Sequence, residues 1–236
     1  MNKTRALLAT SVLVACASSV YAQGPQDYLN RAADAVTALK SAQFTLKREG
    51  APAVLDEKAG LMFTAADCSY AAPDRVSCNV RVALKNGSFL QVTRVWVPEG
   101  VFQSNPLTKQ FGKLPQDSNF NGGALFARTG IPDILRTAVL KPPLVNKAER
   151  VRSRDTVHLK GEVSGSRLSA FMGSSVKADV TYPVDLWMEE RSGNVVQLHV
   201  AEPDGNGWLI ELFAPNEPVT IPTPQVPASP TPPPGV

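Results

Sequence analysis

Residues 76–95 read VSCNVRVALKNGSFLQVTRV, two alternating segments around a turn. The even-numbered positions from 76 to 84 are Val, Cys or Leu, and a period of two is typical of a β-strand with one buried face. Asn86-Gly87 has the composition of a two-residue type I′ turn. With that turn, the cross-strand pairs are Leu84 with Phe89, Val80 with Thr93, and Cys78 with Val95. The segment therefore predicts an antiparallel hairpin with one nearly continuous apolar face.

The same reasoning extends in both directions along the chain. Apolar residues at three- and four-residue spacings predict a helix from Pro25 to Lys40, and alternation begins at Gln43. Residues 102–130 have no steady period and are expected to be a loop. A short helix is predicted over Ile131–Leu140, with Pro132 in its first turn and Pro142-Pro143 ending it. Further strands are predicted at 156–163, 184–190, 195–200 and 208–213, with a segment of undecided type at 167–172.

The turn at Ser192-Gly193-Asn194 sets the register of the second hairpin. A three-residue loop pairs Met188 with Leu198 and keeps apolar residues together, whereas a two-residue loop sets Met188 against Gln197. The pattern favours the longer loop. No repeat or linker divides the body, so we predict a single α+β domain, a curved antiparallel sheet with a few helices on its concave side.

Composition excludes several classes of protein. The chain has 236 residues, 43% of them hydrophobic and 19% charged, with 3 Cys and a net charge of +3. These values exclude a collagen, a disulfide-dense miniprotein and a mostly disordered chain. Lys3 and Arg5 lie in the leader described next, so the rest of the chain is nearly neutral. That balance argues against a surface for nucleic acid and against a polybasic membrane-binding surface.

Residues 1–22 have the layout of a bacterial secretory signal peptide, with a basic start, an apolar run and small residues. The run is too short to span a bilayer, which takes about 20 apolar residues. Two cleavage sites compete. Leu13-Val14-Ala15-Cys16 resembles a lipobox, in which the Cys16 thiol receives a diacylglyceryl group that anchors the chain to a membrane, and Cys16 becomes the mature N-terminus. Val20-Tyr21-Ala22 resembles an ordinary site that releases a soluble protein. Both predict an exported protein of the bacterial periplasm or cell surface.

The other end of the chain is rich in proline. Residues 222–236 hold almost nothing that could fill a core, and proline favours an extended, solvated chain. We expect the domain to span residues 23–221 and to be followed by a disordered tail.

Cys68 and Cys78 remain as a pair once the leader is set aside. They flank Ala71-Ala72-Pro73-Asp74, which can turn the chain so that the two lie on neighbouring strands. In an exported protein this spacing predicts a disulfide, and the alternative is two buried free thiols. Two thiols without a nearby His fall short of a zinc site, so no metal or other cofactor is expected.

Catalytic patterns are missing from the sequence. His158 and His199 lie far apart on predicted strands, where a hydrogen-bonded structural role is expected. Glu189-Glu190 point to opposite faces of a strand and cannot act as an acid pair. No nucleophile elbow, HExxH motif or phosphate-binding glycine loop occurs. We expect a protein without enzymatic activity.

Three segments resemble the LppX/LprG family of actinobacterial cell-envelope lipoproteins. They are the helix end and first strand LKSAQFTL (39–46), the strands PVDLWM (183–188) and VVQL (195–198), and the closing LFAPNEPVTIP (212–222). The resemblance spans residues 27–222. It implies the fold of the carriers LolA and LolB, a half-open antiparallel barrel closed by helices around an apolar cavity for lipid or glycolipid acyl chains.

On that basis, the cavity walls are expected in the two hairpins and in the short helix. The candidates are Val80, Val82, Leu84, Phe89, Val95, Ile134, Leu135, Leu186, Met188, Leu198, Ile210 and Leu212. The expected function is acyl-chain binding for transport or presentation in the cell envelope. The alternative is an envelope protein-interaction or lipoprotein-chaperone module of the same fold. The same apolar faces would also serve an ordinary packed core.

Overall fold

A computed structural model describes residues 24–56, 60–115, 122–141, 146–172 and 176–227. The leader, Cys16 and residues 228–236 lie outside these ranges. Within them the helices are α1 (Pro25–Thr37), α2 (Ile131–Thr137) and α3 (Gly165–Met172). The strands are β1 (Ser41–Glu49), β2 (Ala53–Asp56), β3 (Leu61–Ala71), β4 (Arg75–Leu84), β5 (Phe89–Val97), β6 (Gly100–Ser104), β7 (Phe111–Leu114), β8 (Val139–Leu140), β9 (Asn146–Val151), β10 (Arg154–Ser164), β11 (Thr181–Glu189), β12 (Val195–Ala201) and β13 (Gly207–Phe213).

All of these strands form one antiparallel sheet. Its order is β7-β6-β5-β4-β3-β1-β13-β12-β11-β10-β8, with β2 paired to β3 and β9 paired to β10. Most neighbours in this order are consecutive in the chain, and the pairing of β1 with β13 joins the two ends of the domain. The sheet is open and curved and carries the helices on one face, so the predicted α+β half-barrel is confirmed. We call the helix-covered face the inner face and the opposite one the outer face.

Helix α1 begins as the sequence predicts and ends earlier. Pro25 occupies its first turn, where a missing N–H has no cost, and the Gly24 N–H donates to Asp27 Oδ2 at 3.0 Å. The helix ends at Thr37, three residues before the predicted end. The Lys40 N–H donates to Asn216 Oδ1 at 2.8 Å, so it is not available for a helical bond. The shorter helix thus follows from a partner 176 residues away.

The prediction of a loop over residues 102–130 is wrong in part, because β6 and β7 lie there. Phe102 of β6 is buried on the outer face with Val95, Val97 and Ile221. Ile221 comes from the C-terminal segment, which a local pattern does not reveal. Helix α2 also ends before the predicted Leu140, since Val139 and Leu140 pair with β10 as strand β8.

The register of the β4–β5 hairpin differs by one residue from the prediction. The Leu84 N–H donates to Ser88 O at 2.8 Å, which leaves three residues in the turn. Gly87 adopts a φ of +81°, the conformation of the last residue in such a turn. The observed pairs are Ala83 with Phe89, Val80 with Val92, and Cys78 with Arg94. A shift of one residue moves every side chain of β5 to the opposite face.

The β11–β12 hairpin differs from its predicted register by two residues. Leu198 pairs with Leu186 rather than with Met188. The Glu189 N–H donates to Asn194 O at 2.9 Å, so the loop has four residues. Because a shift of two preserves the face, the apolar residues still point inward.

Cys68 and Cys78 form a disulfide, as predicted. They are directly opposite each other in β3 and β4, both buried on the inner face. The C-terminal segment after β13 crosses the outer face. Arg75 Nη1 donates to Ile221 O at 3.1 Å and to Thr223 Oγ1 at 3.3 Å. Residues 222–227 continue without regular structure, and the predicted disordered tail beyond them stays a prediction.

Candidate functional site

The inner face gathers most of the expected wall residues into one apolar core. Each of these nine side chains is at most 5% exposed. They are Val80, Val82, Ile134, Leu135, Leu186, Met188, Leu198, Ile210 and Leu212. Leu84 is only partly buried, at the end of β4.

Phe89 and Val95 lie elsewhere, because of the one-residue shift of the β4–β5 hairpin. Phe89 pairs with Ala83 on the outer face and is 65% exposed. Val95 pairs with Ser77 and is buried in the small outer cluster with Ile221. The expectation that these two residues share the inner face is therefore wrong.

The half of the interior formed by β1 and β3–β5 contains a cluster of aromatic rings. Phe126, from the segment before α2, stacks on Tyr70 at 4.3 Å between ring centroids and meets Phe44 edge-on at 5.1 Å. Phe63 packs on Trp208 at 5.4 Å. These rings and the adjacent disulfide place rigid groups against one another on this side of the interior.

The other half contains an apolar cleft between α2 and the strands β10–β12, which we call the α2 cleft. Its empty volume is about 260 Å³, including open space at its mouth. Only about 10 Å³ admits the centre of a water molecule, which is room for a single water. It is lined by Leu29, Ile134, Leu135, Ala138, Leu140, Leu159, Lys160, Gly161, Val184, Leu186 and Leu198.

Helix α2 covers this cleft mainly through apolar side chains. Its seven residues bury Ile131, Ile134 and Leu135 against the core. Two ion pairs link it to the other helices: Arg136 to Asp34 of α1 and Arg167 of α3 to Asp133, both at 2.8 Å. Each pair includes a side chain more than half exposed, and exposed ion pairs contribute little to the free energy of folding. The apolar side chains therefore hold α2 in place.

Sequence reasoning found four of the residues that line the α2 cleft and missed the others. Leu159 and Gly161 alternate along the predicted strand 156–163, so the period of two could have placed both on the inner face. A Cβ at Gly161 would lie 3.0 Å from Val139 O, so the glycine lets β8 approach closely. Leu29 and Ala138 lacked such a signal, because their position depends on how the helices pack.

A buried ion pair closes the inner face near the β12–β13 turn. Arg48 Nη1 lies 2.6 Å from Glu202 Oε1, and both side chains are less than 10% exposed. The Arg48 guanidinium lies over the Trp208 ring at 4.9 Å, and Trp208 Nε1 donates to Glu202 Oε1 at 2.8 Å. The Glu202 carboxylate thus accepts hydrogen bonds from both the guanidinium and the indole, and buried charged groups need such partners.

Both histidines lie on the outer face with carboxylate partners. His158 Nδ1 is 3.1 Å from Glu149 and Nε2 is 2.7 Å from Asp185, while the ring stacks on Trp187 at 4.2 Å. Hydrogen bonds from Trp187 Nε1 and then from His158 lower the pKa of Glu149. His199 Nε2 contacts Glu49 at 3.0 Å. Both rings therefore have carboxylate partners, and their structural role stays a prediction.

Among the described residues, no cluster of three His, Cys, Asp or Glu side chains could hold a metal ion. A search of the same residues for a membrane-spanning helix finds none of sufficient length and apolarity.

The curved antiparallel sheet, its helix-covered face and the apolar cleft define a half-barrel protein of the α+β class. The chain belongs to the LppX_LprAFG lipoprotein family, whose model matches residues 24–221. That match confirms the resemblance noted in the sequence.

Two solved structures show the same fold. LprF from Mycobacterium bovis superposes with a TM-score of 0.69 at 16% identity, covering 85% of this chain and 96% of that one. The lipoprotein LppX from Mycobacterium tuberculosis superposes with a TM-score of 0.60 at 16% identity, covering 84% of this chain and 98% of that one. The curated protein sequences contain no match.

Proposed function

We propose that this protein binds an acyl chain of a lipid or glycolipid in the α2 cleft and carries or presents it in the cell envelope. The observation that supports the proposal is the cleft itself, an apolar gap beneath a short helix in a member of a lipoprotein family. Binding is the whole activity, and no chemical step is involved.

The cleft is too narrow for an acyl chain while α2 is seated, so binding requires α2 to move away from the sheet. Ile131, Ile134 and Leu135 would leave their partners, at roughly 1.5–3 kcal/mol each if they became exposed. An acyl chain gains about 0.8 kcal/mol for every methylene removed from water. A long chain that fills the opened cleft therefore offsets the displacement of the helix.

Export and membrane attachment form the second part of the proposal. The leader directs the chain out of the cytoplasm, and Cys16, the first residue after cleavage at the lipobox, receives the lipid anchor. The family description as lipoproteins supports cleavage before Cys16 over release after Ala22. The intact mass of the mature N-terminus tests this, because a diacylglyceryl-modified Cys16 and a free Gln23 differ in both sequence and mass.

Binding is tested with a fluorescent fatty acyl probe and two Ala→Phe variants. Ala138 lines the α2 cleft, so Ala138→Phe should fill it and abolish probe binding. Ala51 is exposed in the β1–β2 turn, so Ala51→Phe adds the same ring without touching the cleft and should bind like the wild type. Equal binding by both variants would refute this location, and no uptake by the wild type would refute the function. Thermal unfolding verifies that both variants are folded.

A further inference from the structure

An apolar row crosses the outer face of the sheet at the β4–β5 turn. Val54 is paired with Met62, Met62 with Ala83, and Ala83 with Phe89. Residues directly opposite in an antiparallel sheet share a face, and their strands lie about 4.8 Å apart. The four side chains therefore form a line about 14 Å long across β2, β3, β4 and β5.

Much of this row is open to solvent, and so is a neighbouring turn. Phe89 is 65% exposed and Val54 45%, while Leu107 in the β6–β7 turn is 86% exposed. The Thr93 N–H donates to Ser104 Oγ at 2.8 Å, so β6 ends beside β5 and its turn lies at the same end of the sheet as Phe89. Three of the five large apolar side chains exposed in the described residues thus gather at one rim.

Cations flank these side chains. Arg81 lies on the same face two positions from Ala83, Lys85 begins the β4–β5 turn, and Lys109 follows Leu107 by two residues; all three are exposed. Asp67 lies on the outer face at a register position beyond Arg81. Asp56 ends β2, and the next three residues lie outside the described part. Among the described residues, the charged side chains closest to Phe89 and Leu107 in strand register or along the chain are therefore basic.

We propose that this rim, formed by the row, Leu107 and the three cations, docks on the surface of a bilayer that contains anionic lipids. Phe89 and Leu107 would enter the interface between headgroups and acyl chains, while Arg81, Lys85 and Lys109 meet lipid phosphates. Exposed apolar side chains with basic neighbours are the combination by which peripheral proteins bind membranes. The rim is a contact separate from the lipid anchor proposed for Cys16, and it goes beyond the proposed acyl-chain binding.

Vesicle flotation tests the inference on the unacylated chain from Gln23 onward, which contains every described residue. We expect flotation with vesicles of phosphatidylcholine and phosphatidylglycerol and much less with phosphatidylcholine alone. The double variant Phe89→Ser/Leu107→Ser should lose flotation. Its control is Val139→Ser/Val226→Ser, which removes exposed apolar side chains outside the rim and should float like the wild type.

A second pair of variants tests the cations. Lys85→Gln/Lys109→Gln should weaken vesicle binding by about fivefold per cation, since each basic side chain near an anionic surface contributes about that factor. Lys40→Gln/Lys177→Gln removes two exposed lysines that lie outside the rim. It lowers the net charge by the same amount and should leave vesicle binding almost unchanged. Equal losses in the two pairs would mean that net charge, not the rim, drives binding.

Three further results would overturn the inference. They are no flotation of the wild type with anionic vesicles, unchanged flotation of the Phe89→Ser/Leu107→Ser variant, and a dimer in solution that the same variant dissociates. The last result would make the rim a contact between copies of the chain. Ala138→Phe separates this inference from the proposed function, because that variant should still float when it no longer binds the acyl probe.

Discussion

The length of the acyl chain is the most direct variable for the α2 cleft. The free energy of binding should improve by about 0.8 kcal/mol for each added methylene, which is about fourfold in Kd. The free-energy cost of displacing α2 must be met before any chain binds, so it sets the shortest chain that can bind. Exposing the three buried side chains of α2, at roughly 1.5–3 kcal/mol each, costs about 5–9 kcal/mol in total. Burial of about six to eleven methylenes provides the same free energy. Chains of about six carbons should therefore not bind, and affinity should appear only for longer chains, rising with each methylene beyond this number.

Removing the ion pairs of α2 should lower the free-energy cost of displacing the helix without altering the lining of the cleft. Arg136→Gln/Arg167→Gln removes both pairs, and neither residue lines the cleft. Exposed pairs contribute about 0.2–1 kcal/mol each, so opening becomes easier by about 0.4–2 kcal/mol. Since only the fraction of molecules with α2 displaced binds the chain, all affinities should rise by about two- to thirtyfold. The dependence on chain length should keep its slope.

The assay is displacement of a fluorescent acyl probe by a series of fatty acids, each below its micelle concentration. We expect parallel lines for wild type and variant when the logarithm of Kd is plotted against chain length. A flat line for the wild type would refute burial of the chain. A changed slope in the variant, with no change in offset, would refute the role of α2 as the cover of the cleft.

Three further predictions concern the framework around the site. Cys68→Ala/Cys78→Ala should cost about 3 kcal/mol from the entropy of the ten-residue loop, or about 6–12 °C in Tm; dithiothreitol should lower the Tm of the wild type similarly and leave the variant unchanged. Gly130→Ala should destabilise by about 1–3 kcal/mol in urea unfolding, because its Cβ would lie 2.2 Å from Leu125 O, while Gly112→Ala, with no atom within 4 Å, should change little. Burial would raise the pKa of Glu211, but hydrogen bonds from Lys47, Thr45 and Arg152 outweigh it and lower the pKa. The ionised Glu211 therefore stabilises the fold above the ordinary glutamate pKa of about 4.3, and this stabilisation is lost as pH falls through the lower folded pKa. The stability difference between wild type and Glu211→Gln should shrink in acid. A difference independent of pH would contradict this.

The sequence predicted the parts of the fold that depend on local periodicity. The strands that contain Val80, Leu186 and Ile210 were recognised because apolar residues alternate along them. The disulfide followed from two cysteines on either side of a turn. Even the error of two residues in the β11–β12 hairpin left Leu198 on the correct face, since the side-chain period is two.

The errors occurred where a distant contact or a turn geometry decides the outcome. Phe89 and Val95 were assigned to the wrong face because Asn86-Gly87 also fits a longer turn, and one extra residue reverses the face of β5. Residues 100–104 form a strand because Ile221 covers Phe102 from the far end of the chain. The end of α1 is fixed by Asn216 in the same way. Local patterns carry no information about such partners.

The division of the interior explains how a packed core and a binding site can coexist in one small domain. Beside β3 and β4, the disulfide and the rings around Phe126 fill the space with rigid groups that fit in few ways. Beneath α2, the lining consists mainly of aliphatic side chains that meet a helix of seven residues. Aliphatic contacts lack the fixed geometry of stacked rings, so an acyl chain can replace those of α2 with contacts of the same kind. The rigid half would then keep the sheet in shape while the other half opens.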